Sequence, residues 1–113
     1  MASTFKNQGA TLSAGAETDF YTAPGGTYSV IHALYLSNNS ETNNAEVDVK
    51  ITTDGGSTFY NIGTKLSIAP KNTLTLDKPI NLEPGDKMRL VATPLPDSSS
   101  TELTAVASIL EVT

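Results

Sequence analysis

The chain reads as an all-β protein, a single-domain antiparallel β-sandwich, jelly-roll-like or Ig-like, of about seven or eight strands. Three observations predict this. Apolar residues recur at alternate positions, as in 45–53, where Val47, Val49 and Ile51 share one side and Glu46, Asp48, Lys50 and Thr52 the other. Turn chemistry interrupts the chain at roughly ten-residue spacing, as at Pro24-Gly25-Gly26, Asp54-Gly55-Gly56-Ser57 and Glu83-Pro84-Gly85-Asp86. No segment holds a helical period beyond a turn or two. With 113 residues, one domain can bury roughly two-thirds of its unfolded surface without metals or disulfides.

Residues 1–16 contain Gly9, Gly15 and few large apolar groups, so they read as an N-terminal arm or an edge strand, with 17–113 as the sandwich domain. Leu12 would anchor such an edge. Glu17–Thr22 is a short strand closed by Pro-Gly-Gly. Residues 27–36, Thr-Tyr-Ser-Val-Ile-His-Ala-Leu-Tyr-Leu, form the longest nearly unbroken apolar run and read as the central strand. Strict alternation puts Tyr28, Val30, His32, Leu34 and Leu36 on one side and Ile31, Ala33 and Tyr35 on the other. Both sides are mostly apolar, so one is expected to be covered by a second sheet and the other by another layer, a loop or a partner chain.

A polar loop, 38–44, leads to the strand at 45–53. Its Asn38-Asn39-Ser40 matches a glycosylation acceptor but reads as loop chemistry. A glycine turn returns the chain antiparallel through 58–62, Gly63 marks a bend or bulge, and Leu66 and Ile68 resume the alternation. A short strand at 72–77 follows. Glu83-Pro84-Gly85-Asp86 is a type II turn, since proline suits its second position and glycine its left-handed third. Strands at 87–93 and 102–113 finish the chain, joined by an exposed connection at 94–100. The apolar ending, Ile109, Leu110 and Val112, is expected to be tied into a sheet.

Composition excludes several functions. Twelve acidic and seven basic side chains give a net charge of −5 with Arg89 as the one arginine, which repels the phosphate backbone of nucleic acid. No apolar run approaches the ~20 residues of a membrane span, and the first residues lack the pattern of a signal peptide. The expectation is therefore a soluble chain with neither nucleic-acid nor membrane partners. Cysteine is absent, which fits assembly in a reducing cytoplasm. Serine, threonine and asparagine supply 35 residues, a neutral polar surface of the kind common in virion and extracellular β-proteins.

No catalytic, metal or cofactor residues are assigned. His32 is the only histidine and sits mid-strand among apolar neighbours, where a structural role is expected. Asp54, Asp77, Asp86 and Asp97 each fall at a turn. Residues 52–59 resemble the Asp-box hairpin of sialidase-like propellers, but it occurs once, so Asp54 is expected only to accept backbone N–H bonds.

The ordered succession Phe20-Tyr21-Thr22-Ala23-Pro24, Leu34-Tyr35-Leu36-Ser37-Asn38, Val47-Asp48-Val49, Leu82-Glu83-Pro84-Gly85-Asp86 and Ala107-Ser108-Ile109-Leu110-Glu111 resembles the small virion structural proteins of tailed bacteriophages, of the cyanophage and marine phage type. The resemblance covers nearly all of the chain. It implies a non-enzymatic virion β-sandwich made in the host cytoplasm, namely a capsid decoration or cement protein that stabilises the assembled shell. The partners it implies are the major capsid protein or neighbouring virion proteins, with further copies of the chain in a homo-oligomer, expected to be a trimer. The alternative is a tail, baseplate or fibre component, including a carbohydrate-binding module that uses Tyr21, Tyr28, Tyr35 or Phe59 as a stacking platform. A cement role needs an arm, a sheet edge or loops that reach neighbours. Thr4, Phe5 and Leu12 in the arm, Asn38 and Asn39 in one loop, and Leu95 and Pro96 in another are the interface candidates.

Overall fold

Nine strands pair in a nested order. In the computed structural model, which describes residues 3–12, 17–92 and 103–113, these are β1 (Ser3–Thr11), β2 (Glu17–Thr22), β3 (Tyr28–Asn38), β4 (Ala45–Thr52), β5 (Phe59–Ile68), β6 (Thr73–Leu76), β7 (Ile80–Leu82), β8 (Lys87–Ala92) and β9 (Leu103–Val112). β4 pairs with β5, β3 with β6 and β7, β2 with β8, and β1 with β9, all antiparallel. The chain thus behaves as one long hairpin, folded at the β4–β5 turn and then rolled up. Rolling adds the pairs β3–β9 and β4–β8 and yields two sheets. Sheet A has the order β1-β9-β3-β6, with β7 also on β3, and sheet B the order β2-β8-β4-β5. This winding is that of a jelly roll. Of the two expected architectures it selects the jelly roll over the Ig-like one, with nine strands where seven or eight were expected. β6 and β7 act as one strand interrupted at residues 77–79.

The turns that close the hairpins follow from their residues. Gly26 (φ 74°) lets Thr27 N–H reach the carbonyl of Pro24 at 3.0 Å. Gly85 (φ 87°) completes the turn in which Asp86 N–H donates to Glu83 at 2.9 Å. Asp54 accepts the N–H groups of Ser57 and Thr58, each at 3.0 Å, and so pins the β4–β5 loop. The Thr58 N–H and hydroxyl, with a smaller part from the Ser57 N–H, hold its carboxyl below the usual carboxylate value.

The core lies between the sheets, where Phe20, Ile31, Leu34, Leu36, Val47, Val49, Met88, Leu90, Leu103 and Ile109 are fully buried. In sheet B, β8 and the first part of β4 follow the alternation read from the sequence, but Thr52, expected on the wet side, is buried, and β2 and β5 both shift register. The central strand does not follow it. Its pairing with β9 passes from Ile31↔Ile109 to Ala33↔Ser108, which leaves His32 as the extra residue of a β-bulge. The side-chain period is two, so one inserted residue reverses the sense of everything after it. Ser29, Ile31, Leu34, Leu36 and Asn38 face the core, whereas Tyr28, Val30, His32, Ala33, Tyr35 and Ser37 face out. Leu34 and Leu36 therefore lie opposite to Tyr28, and Tyr35 lies with it. Within the described residues sheet A is covered on its inner side alone, so neither a further layer nor a described loop of this chain covers its outer side.

Candidate interaction surface

The outer side of sheet A is assembled by register. Reading across β1, β9 and β3, its rows are Ser3–Val112–Tyr28, Phe5–Leu110–Val30, Asn7–Ser108–Ala33, Gly9–Val106–Tyr35 and Thr11–Thr104–Ser37. Thr73, Thr75 and Asn81 extend it onto β6 and β7. These positions include no Asp, Glu, Lys or Arg. The face also holds four of the most exposed large apolar side chains, Phe5 at 78%, Tyr28 at 59%, Val106 at 47% and Tyr35 at 42%. The Phe5 ring lies 6.4 Å from the His32 ring, tilted by 31°. An uncharged, aromatic-bearing sheet face of this extent is the kind of patch that marks a contact surface.

Beneath one margin of the face sits a polar cluster. Tyr21 OH, buried between the sheets, donates to a Glu111 carboxylate oxygen and shares a 2.8 Å hydrogen bond with the Ser29 hydroxyl. Lys6 Nζ lies 3.7 Å from the same carboxylate and 5.7 Å from the Tyr21 ring centroid. Burial, reinforced by the Glu111 carboxylate and opposed by the Ser29 bond, pushes the Tyr21 phenol up to about 12. The cluster ties β1, β2, β3 and β9 together, and so sets the position of the β1 edge.

The expected interface residues fall into three groups. Thr4 and Phe5 are exposed on β1, and Asn39 is exposed in its loop. Leu12 and Asn38 are corrections, since each is only 1% exposed. Leu12 packs in the core and its N–H donates to Leu103 at 3.0 Å. Asn38 Nδ2 donates to the carbonyls of Asn43 and Ile68, and its Oδ1 accepts the Ser40 N–H, so the side chain organises the loop from within. Leu95 and Pro96 lie outside the described residues. Of the four aromatic residues considered as a platform, Tyr21 is buried and Phe59 lies under Arg89 at 3.8 Å, while Tyr28 and Tyr35 are open. Sequence reasoning missed Val106 and the way Phe5 joins Tyr28 and Tyr35, because that grouping depends on the His32 bulge.

A shallow groove of about 320 Å³ lies where β6 breaks into β7, between Ile62 and Ile80, with Asp77 and Lys78 as its ionisable side chains. Among the described residues, no group of three or more His, Asp or Glu side chains is placed to hold a metal.

No protein-family model matches the chain, and no curated protein sequence matches it significantly. The fold is similar to that of a chain in the T13 IBDV viral particle. That likeness has a TM-score of 0.57 at 12% identity and covers 96% of this chain but 30% of the other. This chain thus spans less than a third of its structural neighbour, and at such low identity the likeness concerns the fold.

Proposed function

We propose that this chain is a non-enzymatic structural subunit of a virus particle, a capsid decoration or cement protein of the tailed-phage type. The observation that carries this reading is the uncharged outer side of sheet A, with Phe5, Tyr28, Tyr35 and Val106 open to solvent on a rigid jelly roll. The fold likeness to a viral particle chain supports it. Seated on the shell, this face would lose apolar area to water at little desolvation cost, because it carries no formal charges to strip. Repetition over a symmetric shell would multiply modest contacts by avidity.

The test is occupancy of purified virions carrying Val106→Glu, which places a carboxylate in the middle of the face without touching the core. Copies per particle are expected to fall at least tenfold while the folded chain is recovered free. Unchanged occupancy would overturn the reading. Tyr28 and Tyr35 are also the exposed rings a sugar would stack on. Specific glycan-array binding together with an undecorated shell would transfer the chain to a host-attachment fibre.

A further inference from the structure

Sheet edges expose unpaired backbone donors and acceptors, and proteins usually block them with bulges, charges, prolines or short strands. Three of the four edges here are blocked. β2 has six residues and a register shift between Asp19 and Tyr21. β5 carries two shifts and a left-handed Lys65 (φ 47°), and the β6–β7 edge is broken across Asp77, Lys78 and Pro79. β1 differs from all of these. Its nine residues keep an unbroken register with β9, contain no proline or acidic residue, and include one cation, Lys6, which is already beside Glu111. Among the described residues no strand pairs with its other side.

We infer that β1 pairs antiparallel with β1 of a second copy of this chain, across a twofold axis at Asn7. This joins two sheets A into one continuous sheet. The register follows from side-chain complementarity. With Asn7 opposite Asn7, Lys6 falls opposite Gln8, Thr4 opposite Ala10, and Phe5 opposite Gly9, so no like charges face each other.

Gly9 supplies the independent argument. Neither its φ nor its surroundings demand glycine, since an added Cβ would meet Ala105 O at 3.7 Å and Val106 Cγ2 at 3.9 Å, both ordinary contacts. What glycine leaves there is an open seat beside Val106, on the same side of the sheet as the 78% exposed Phe5. A ring from the second copy laid across Gly9 covers the bare backbone and loses its own exposure, as aromatic residues do when they shield edge glycines. The nine-residue pairing would add roughly eight to ten inter-strand hydrogen bonds. The twofold arrangement closes at two copies, unlike the expected trimer.

The chain has no cysteine, so single substitutions report cleanly. At the axis, paired Cα atoms stand about 4.5 to 5.5 Å apart, within the roughly 4.4 to 6.8 Å that a disulfide spans. Mild oxidation of Asn7→Cys should give a covalent dimer in high yield. Ser3→Cys alone should not, because its two copies sit roughly 26 Å apart, but Ser3→Cys mixed with Thr11→Cys should. Sedimentation of the unmodified chain should show a dimer, and Gly9→Val should weaken it at least tenfold while leaving the fold intact. A monomer at about 100 μM, or a dimer that Asn7→Cys fails to trap, overturns the inference. Either result leaves the neutral face's role on the particle untouched, since virion occupancy reads that separately.

Discussion

The two outer sheet faces are built from the same strand geometry and treated in opposite ways. On sheet B, Arg89 reaches Glu17 at 2.6 Å and Asp19 at 2.7 Å, lies 3.8 Å over the Phe59 ring, and Lys87 adds a 3.6 Å contact to Asp19. Glu46, Asp48 and Lys50 continue the charged pattern along β4. On sheet A the equivalent positions carry Phe5, Tyr28, Val30, Tyr35, Val106 and Leu110 and no charged side chain. Charges that find partners within their own chain mark a surface content with water. An aromatic face without them gains by being covered. The contrast sets the outer side of sheet A apart from that of sheet B without reference to any similar protein.

The sharpest way to break this comparison is to remove the bulge that creates it. Deleting His32 would force either Ile31 and Ser29 or Leu34, Leu36 and Asn38 to turn outward, exposing several buried side chains. At roughly 1.5–3 kcal/mol for each apolar side chain exposed, the loss approaches a small domain's whole stability of about 5–15 kcal/mol. Circular dichroism should show no cooperative unfolding transition.

Next in size is a neighbouring pair on the same strand. Leu34→Ala should cost about 2–5 kcal/mol in urea unfolding. Tyr35→Ala, one residue on and facing out, should cost under about 1 kcal/mol. Equal costs would mean that both faces of sheet A are buried.

The Tyr21 cluster gives a smaller effect with a definite pH signature. Its phenol is raised to about 12 in the folded chain, so the stabilisation is fully present below the unfolded value near 10. It is lost as pH rises through the folded value. Tyr21→Phe should cost about 1–2 kcal/mol at neutral pH and abolish the loss of stability between about pH 10 and 12, read by denaturation across that range.

Smallest is Arg89→Ala. Exposed ion pairs and one ring contact together amount to about 1 kcal/mol, reduced by added salt. The Arg89 hydrogen bond holds the Asp19 carboxyl below its ordinary value. That contribution is therefore present above the unfolded carboxylate's range and disappears as pH falls through the folded one. The variant should flatten this acid limb of the stability curve.

Much of this architecture was legible locally. Glu17–Thr22, the 45–53 strand and the type II turn at Glu83-Pro84-Gly85-Asp86 lie where alternation and turn chemistry put them. The glycine at position 63 does mark an irregularity, since β5 changes register there. The neutral outer side of sheet A was far less legible. Thr4, Phe5 and Leu12 were expected together because the first residues looked unable to form a core of their own, yet Phe5 is exposed on the outer side of sheet A while Leu12 is core, closing the sandwich beside Leu103. Asn38 looked like a loop surface residue because polarity suggests exposure, but three hydrogen bonds satisfy it inside.

By itself the amino-acid order determined that this chain forms short strands in two facing layers with no charge pattern suited to nucleic acid, since alternation, turn residues and net charge act over a few positions or over the whole composition. Only the tertiary structure decided which sides of those strands look outward and which edge stays open. An extra residue at His32 reverses the sense of the strand beyond it, and nothing in the local pattern distinguishes a bulged strand from a straight one until β9 is paired against it.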